Sequence, residues 1–158
     1  LSSEYAEPLQ PDRSKPSSHN ATGMILRAFA AHPVYRSSEP AQTAARLLAE
    51  RFFQPDAYTS YQDARYWLRF DYPFWWNNLV AALDSLSLIG LSQENEHVRQ
   101  GLDWLVEHQQ PGGLWKVSYA QPEAGEKDTL KAHALKPWVS LAICRVIGRY
   151  QVVGYSQV

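Results

Sequence analysis

Between Asp71 and Asp84 the chain gathers most of the residues that could do chemistry: Asp71-Tyr72, Phe74-Trp75-Trp76, Asn77-Asn78 and then Asp84. Indole faces hold apolar chains and stabilise developing cations. Tyr72, Trp75, Trp76 and Asn77, joined by Trp138 further along, are therefore the candidate ligand-binding residues. Asp71 and Asp84 are the candidate catalytic residues, because two carboxylates flanking a bond can divide acid and base work between them. Seven positions separate Asn77 from Asp84, which puts them on one side of a helix. A carboxylate buried there needs a partner. Arg145 or a tyrosine of a neighbouring helix would supply it, and in that alternative Trp75 and Trp76 are packing aromatics.

Elsewhere the reactive residues are scattered. His19, His32, His97 and His108 have no mutual spacing typical of a metal site or a triad. Ser118, Ser140 and Ser156 stand in no nucleophile-elbow context. The single cysteine, Cys144, excludes an intramolecular disulfide framework and a cysteine-rich zinc module. A net charge of −1 argues against a dedicated nucleic-acid binder, which would carry a basic face. No apolar run approaches the length of a membrane span and no signal peptide is visible, so the expected location is the cytoplasm, with peripheral contact at a membrane as the alternative. Six tryptophans, nine tyrosines and five phenylalanines in 158 residues are the outlying numbers, enough to line or pack something large.

The elements that must position these residues read as helices. Residues 1–16, with Pro8, Pro11 and Pro16, form a linker or surface arm. A helical domain follows over 17–152, and 153–158 is a tail. Ser17 or Ser18 caps a first helix carrying Ile25, Ala28 and Phe29 inward and ending before Pro33. Ser38-Glu39-Pro40 starts a second, with Ala41, Ala44, Ala45, Leu48 and Phe52 as its buried stripe. Tyr66 to Phe70 reads as extended. The apolar run Phe74 to Ile89 reads as a helix buried on most sides and closed by Gly90. A last helix is expected to begin near Pro137 and reach about Tyr150.

Between the last two lies QGLDWLVEHQQPGGLW, residues 100–115. Val98, Leu102 and Leu105 form one stripe of an amphipathic helix, Glu94 and Glu96 load its start and His108 its end. Pro111 and Gly112-Gly113 stop it and turn the chain into Leu114-Trp115. Gly101, Trp104, Leu105, Gln109, Gly113 and Trp115 stand in the register of the QW motif of the terpene cyclase and squalene cyclase family, which this stretch resembles; Gln100 departs from it, where that family prefers a basic residue. The resemblance implies an all-α fold, the α/α toroid shared with the protein prenyltransferases. In it the glutamine ties a helix end to its neighbour and the tryptophan stacks over it, so the motif is structural.

Helices near Asn20, Trp76 and Pro137 recur about every 55 to 60 residues, with Gln54 and Gln109 ending the helices between them. On the toroid reading this is roughly two and a half hairpin repeats, about half of a closed ring. The absence of methionine at Leu1 and the proline-rich opening point to the C-terminal part of a longer chain; association of copies is the alternative. In a toroid the start of an inner helix opens on the central cavity, which would make the aromatics of 72–76 the wall of an isoprenoid-like or other lipophilic site. The catalytic motifs of the family are missing: no Asp-x-Asp-Asp, and no adjacent aspartates for magnesium. A prenyltransferase-like zinc would fall on Asp128 and His133, with Cys144 out of order, and a catalytic zinc needs three protein ligands. No metal or cofactor is therefore expected. The expected function is a prenyltransferase-like or cyclase-like helical domain binding a lipophile, against two alternatives: a non-catalytic scaffold, and a toroid acting on carbohydrate.

Overall fold

A computed structural model describes residues 14–58, 63–74, 76–117 and 130–155, with side chains to Gln151. Among these residues there are five α-helices and no strand: α1 (His19–Ala31), α2 (Glu39–Ala49), α3 (Leu79–Ile89), α4 (Glu96–Glu107) and α5 (Leu130–Tyr155). Short polar side chains start four of them. Ser18 accepts from Ala21 N, Ser38 from Ala41 N, Asn78 from Ala81 N, and Asn95 from both His97 N and Val98 N. Each satisfies a backbone donor that the first turn leaves open. Gly90, at φ 90°, closes α3 in the left-handed region that favours glycine.

α3 is the centre. Leu79, Val80, Ala81, Ala82, Leu83, Ser85, Leu86 and Ile89 are all buried, so the helix meets neighbours on nearly every side. α1 and α5 flank it, α2 packs on α1 and α3, and α4 packs on α3. The fit against α4 is close: a Cβ on Gly101 would lie 3.1 Å from both Leu79 Cδ1 and Phe52 Cε2. That is tighter than most side-chain contacts, which accounts for the small residue at this position of the motif.

Four local expectations are corrected. On α1 the buried residues are His19, Asn20, Gly23, Leu26 and Ala30, whereas Ile25 is exposed at 55% and Ala28 also faces out. The stripe is rotated because α1 meets α2 and α3 through its small residues. Tyr66 to Leu68 is not extended, although Arg69 is: Asp63 accepts from Arg65 N and opens a 3-10 turn over Ala64–Leu68, which turns Trp67 fully inward. α3 begins at Leu79 rather than Phe74, because Asn78 holds an extended backbone and spends its side chain on the cap. Finally, α5 starts at Leu130 and carries Pro137 inside it. Burial at Ala132, Val139, Ile143, Val146 and Tyr150 follows one helical face across the proline, so core contacts outweigh the hydrogen bond that it cannot make.

Candidate functional site

The segment before α3 is held open by α1. Arg27 donates from Nη1 to the carbonyl of Phe74 and from Nη2 to that of Trp76, both at 2.6 Å. One planar guanidinium thus clamps two backbone oxygens. Behind it, Asn77 is 2% exposed and donates from Nδ2 to the carbonyl of His19 at 2.9 Å. Gly23 makes room for it, since a Cβ there would fall 2.1 Å from Asn77 Cγ. Asn78 donates to the carbonyl of Arg69 at 2.9 Å while capping α3. The two asparagines therefore fasten the segment to α1 and to the turn before it.

What the clamp leaves is a cleft of about 310 Å³ lined by Arg27, Tyr72, Pro73, Phe74, Val80, Ala81, Asp84, Ala142 and Arg145. α3 is its floor, α1 and α5 are its walls, and Tyr72 to Phe74, with a cis Tyr72–Pro73 peptide, is its rim. Tyr72 stacks on Trp138 of α5 with ring centres 5.7 Å apart and planes 15° from parallel, and meets Phe74 edge-on at 5.8 Å. Asp84 is half-exposed and paired with Arg149, not Arg145. Burial holds the Arg27 guanidinium below its ordinary pKa, with the Asp84 carboxylate acting against that shift.

Of the sequence-derived candidates, Tyr72 and Asp84 line this cleft and Trp138 backs Tyr72. Trp76 is 53% exposed beside it, and Asn77 is enclosed against α1. Asp71 is half-buried and not among the lining residues. Trp75 and Asp128 lie outside the described residues. His133 and Cys144 are exposed on α5, and among the described residues no three of His, Cys, Asp and Glu come together as a metal would require.

The Gly-Leu-Trp hook forms at the end of α4. Gly113, at φ 80°, donates to the carbonyl of Gln110, and Gln110 N donates to that of Leu114. Trp115 is buried, its Nε1 donating to the carbonyl of Leu105 at 2.6 Å and its backbone N to Ser140 Oγ at 3.0 Å. Gln109 does not tie α4 to a neighbouring helix; its Nε2 donates to the carbonyl of Gly113, within its own hook. Trp104 stacks on His108 at 3.8 Å and meets Phe70 edge-on. These rings border a smaller recess of about 280 Å³ with Leu68, Gln110 and Lys116.

One cluster has no counterpart among the sequence candidates. His19 and Asp56 are buried, with Nδ1 of His19 3.4 Å from Oδ2 of Asp56. Asp56 also accepts from Ser18 Oγ at 2.8 Å, Asn20 N at 3.3 Å and Tyr58 N at 2.8 Å. It is a carboxylate set at the N-terminus of α1, where the helix dipole favours negative charge. Burial would raise its pKa, but the three donors and His19 hold it below the ordinary carboxylate value. Burial lowers the His19 pKa to about 4 although Asp56 pulls it upward, and its ring lies 4.3 Å from that of Trp67. Serine and histidine both face the carboxylate, so no base is aimed at the hydroxyl, as nucleophilic catalysis requires. The cluster is a clamp. Its only local sign is Pro55-Asp56-Ala57-Tyr58, where an aspartate two residues before a backbone donor forms a turn.

The chain matches no family model, no curated protein and no solved structure. Among the described residues no helix is long and apolar enough to cross a membrane.

Proposed function

We propose that this chain is a helical-repeat binding module, resembling part of a terpene cyclase or prenyltransferase toroid, that takes a small lipophilic molecule into the cleft over α3. The cleft itself carries the reading. Most of its lining is apolar or aromatic, its charged groups are three, Arg27, Asp84 and Arg145, and its volume lies at the small end of ligand sites. The helix packing supports the repeat: alternate helices α1, α3 and α5 lie side by side, with α2 and α4 packed against that row. Met24, Ile25, Trp76, Trp138 and Leu141 are all exposed, as inner helices of an incomplete ring would leave them. Further repeats or a second copy would cover them. Those same exposed side chains also favour the scaffold reading, in which a protein partner covers them.

Catalysis is not assigned to the cleft. Asp84 is engaged by Arg149, and among the described residues no second carboxylate lines the space. The test is titration of the protein with decanol, followed by calorimetry. Saturable binding is expected, weakened about tenfold in Tyr72→Ala with little change in melting temperature. Absence of saturable binding, or equal binding by the variant, would remove the cleft as the site.

A further inference from the structure

Resting on that reading, we infer that the ligand is an anionic amphiphile, a compact apolar body ending in one carboxylate, and that Arg145 receives the carboxylate. The cleft is chemically lopsided. Of its nine lining residues six, Tyr72, Pro73, Phe74, Val80, Ala81 and Ala142, are apolar or aromatic, and three, Arg27, Arg145 and Asp84, are charged. Asp84 carries the only negative charge among the lining residues, and Arg149 already answers it. Carbonyl partners hold Arg27 in place without cancelling its charge. Among the lining residues two guanidinium groups, Arg27 and Arg145, stand against one carboxylate, which leaves a positive margin of charge. An anion gains from such a margin, and the apolar walls strengthen the attraction by excluding water.

The choice of a single carboxylate follows from the number of guanidinium groups without a partner. Arg27 has committed both Nη atoms to backbone oxygens, and Arg149 is committed to Asp84. Arg145 is exposed at the mouth and makes no hydrogen bond or ion pair among the described residues. One open fork matches the two oxygens of one carboxylate in a bidentate pair. A more highly charged head would call for a second open guanidinium group, and both Nη atoms of Arg27 already hold backbone oxygens.

The experiment uses three probes with one apolar body, decanoate, decanol and decyl phosphate, each below its micelle concentration, titrated into wild type, Arg145→Gln and Arg145→Lys. Decanoate should bind wild type at least about tenfold more tightly than decanol, the usual gain from a charge-assisted pair. Arg145→Gln should erase that difference and leave decanol binding unchanged; Arg145→Lys should restore only part of it, a point charge replacing a fork. The preference for decanoate should also shrink as salt is raised. Equal affinity of wild type for decanoate and decanol would overturn the anionic head while leaving the cleft standing. Tighter binding of decyl phosphate than decanoate would overturn the carboxylate. If none of the three binds, the cleft reading fails together with this one. Arg145 is exposed, so its variants are expected to fold, and an unchanged melting temperature checks that.

Discussion

The cluster at the start of α1 and the cleft at Tyr72 both place charged groups among aromatic residues, yet they differ in how those groups are used. Asp56 receives three donors and faces His19, and both are closed off from water. In the cleft the cations outnumber the carboxylate and open space remains between them. The enclosed carboxylate of Asp56 is saturated and serves the fold, because its energy is spent on its neighbours, although among the described residues neither ring nitrogen of His19 makes a hydrogen bond. An incompletely answered charge beside an apolar space is left with affinity for something else. The two regions meet at Asn77, which joins the carbonyl of His19 to the segment forming the rim.

That contrast can be broken most strongly at Asp56. Asp56→Ala leaves Ser18 and the amides of Asn20 and Tyr58 without their acceptor and should cost about 3 to 5 kcal/mol in urea unfolding, as breaking buried polar pairs does. A loss under 1 kcal/mol would mean that the clamp is ornamental. Next in size is the pH dependence. The folded pKa of His19 is about 4 against an ordinary 6.5, so between these values the unfolded chain binds more protons. Stability should therefore be level above pH 6.5 and fall by roughly 3 kcal/mol on the way down to pH 4. Asp56, held below its ordinary value, adds a further loss only below the usual carboxylate range. In His19→Gln the slope between pH 6.5 and 4 should flatten; an unchanged slope would assign it elsewhere. The smallest expected effect is Gly23→Ala, about 1 to 3 kcal/mol for overpacking against Asn77. It sharpens the comparison, because it disturbs the link between the regions, and adding Asn77→Ala should recover part of the loss.

Features set by neighbours in sequence were legible in advance. Ser18 and Ser38 as caps, Gly90 as a stop and the turn at Gly113 into a buried Trp115 all depend on a few adjacent residues. Features set by distant partners were not. Tyr66 to Phe70 has the aromatic content of a strand, but the Asp63 turn and the hydrogen bond from Trp67 Nε1 to the carbonyl of Gln54 wind it inward. The apolar run at Phe74 looked continuous with α3 because the capping role of Asn78 was hidden in the Asn77-Asn78 pair between Trp76 and Leu79. Pro137 looked like a beginning because its cost is local and the core face that outweighs it is spread over five turns. His19 and Asp56 stand 37 positions apart, and only the packing of α1 against α2 and the turn after it brings them together. For the cleft, Tyr72, Asp84 and Trp138 were legible as aromatic and acidic candidates and Arg145 as a neighbour of Asp84, though the pair is made by Arg149, whereas Arg27 was not legible, because charge on a helix ordinarily means solvent.

The central claim is that the open cleft binds and the closed cluster does not. Amide chemical shifts followed by NMR during a decanoate titration test it most directly. The account predicts saturable shifts at Tyr72, Phe74, Ala81 and Arg145, with His19, Asp56 and Trp67 unmoved. Shifts centred on His19 and Trp67, or no saturable shift at the rim of the cleft, would contradict it.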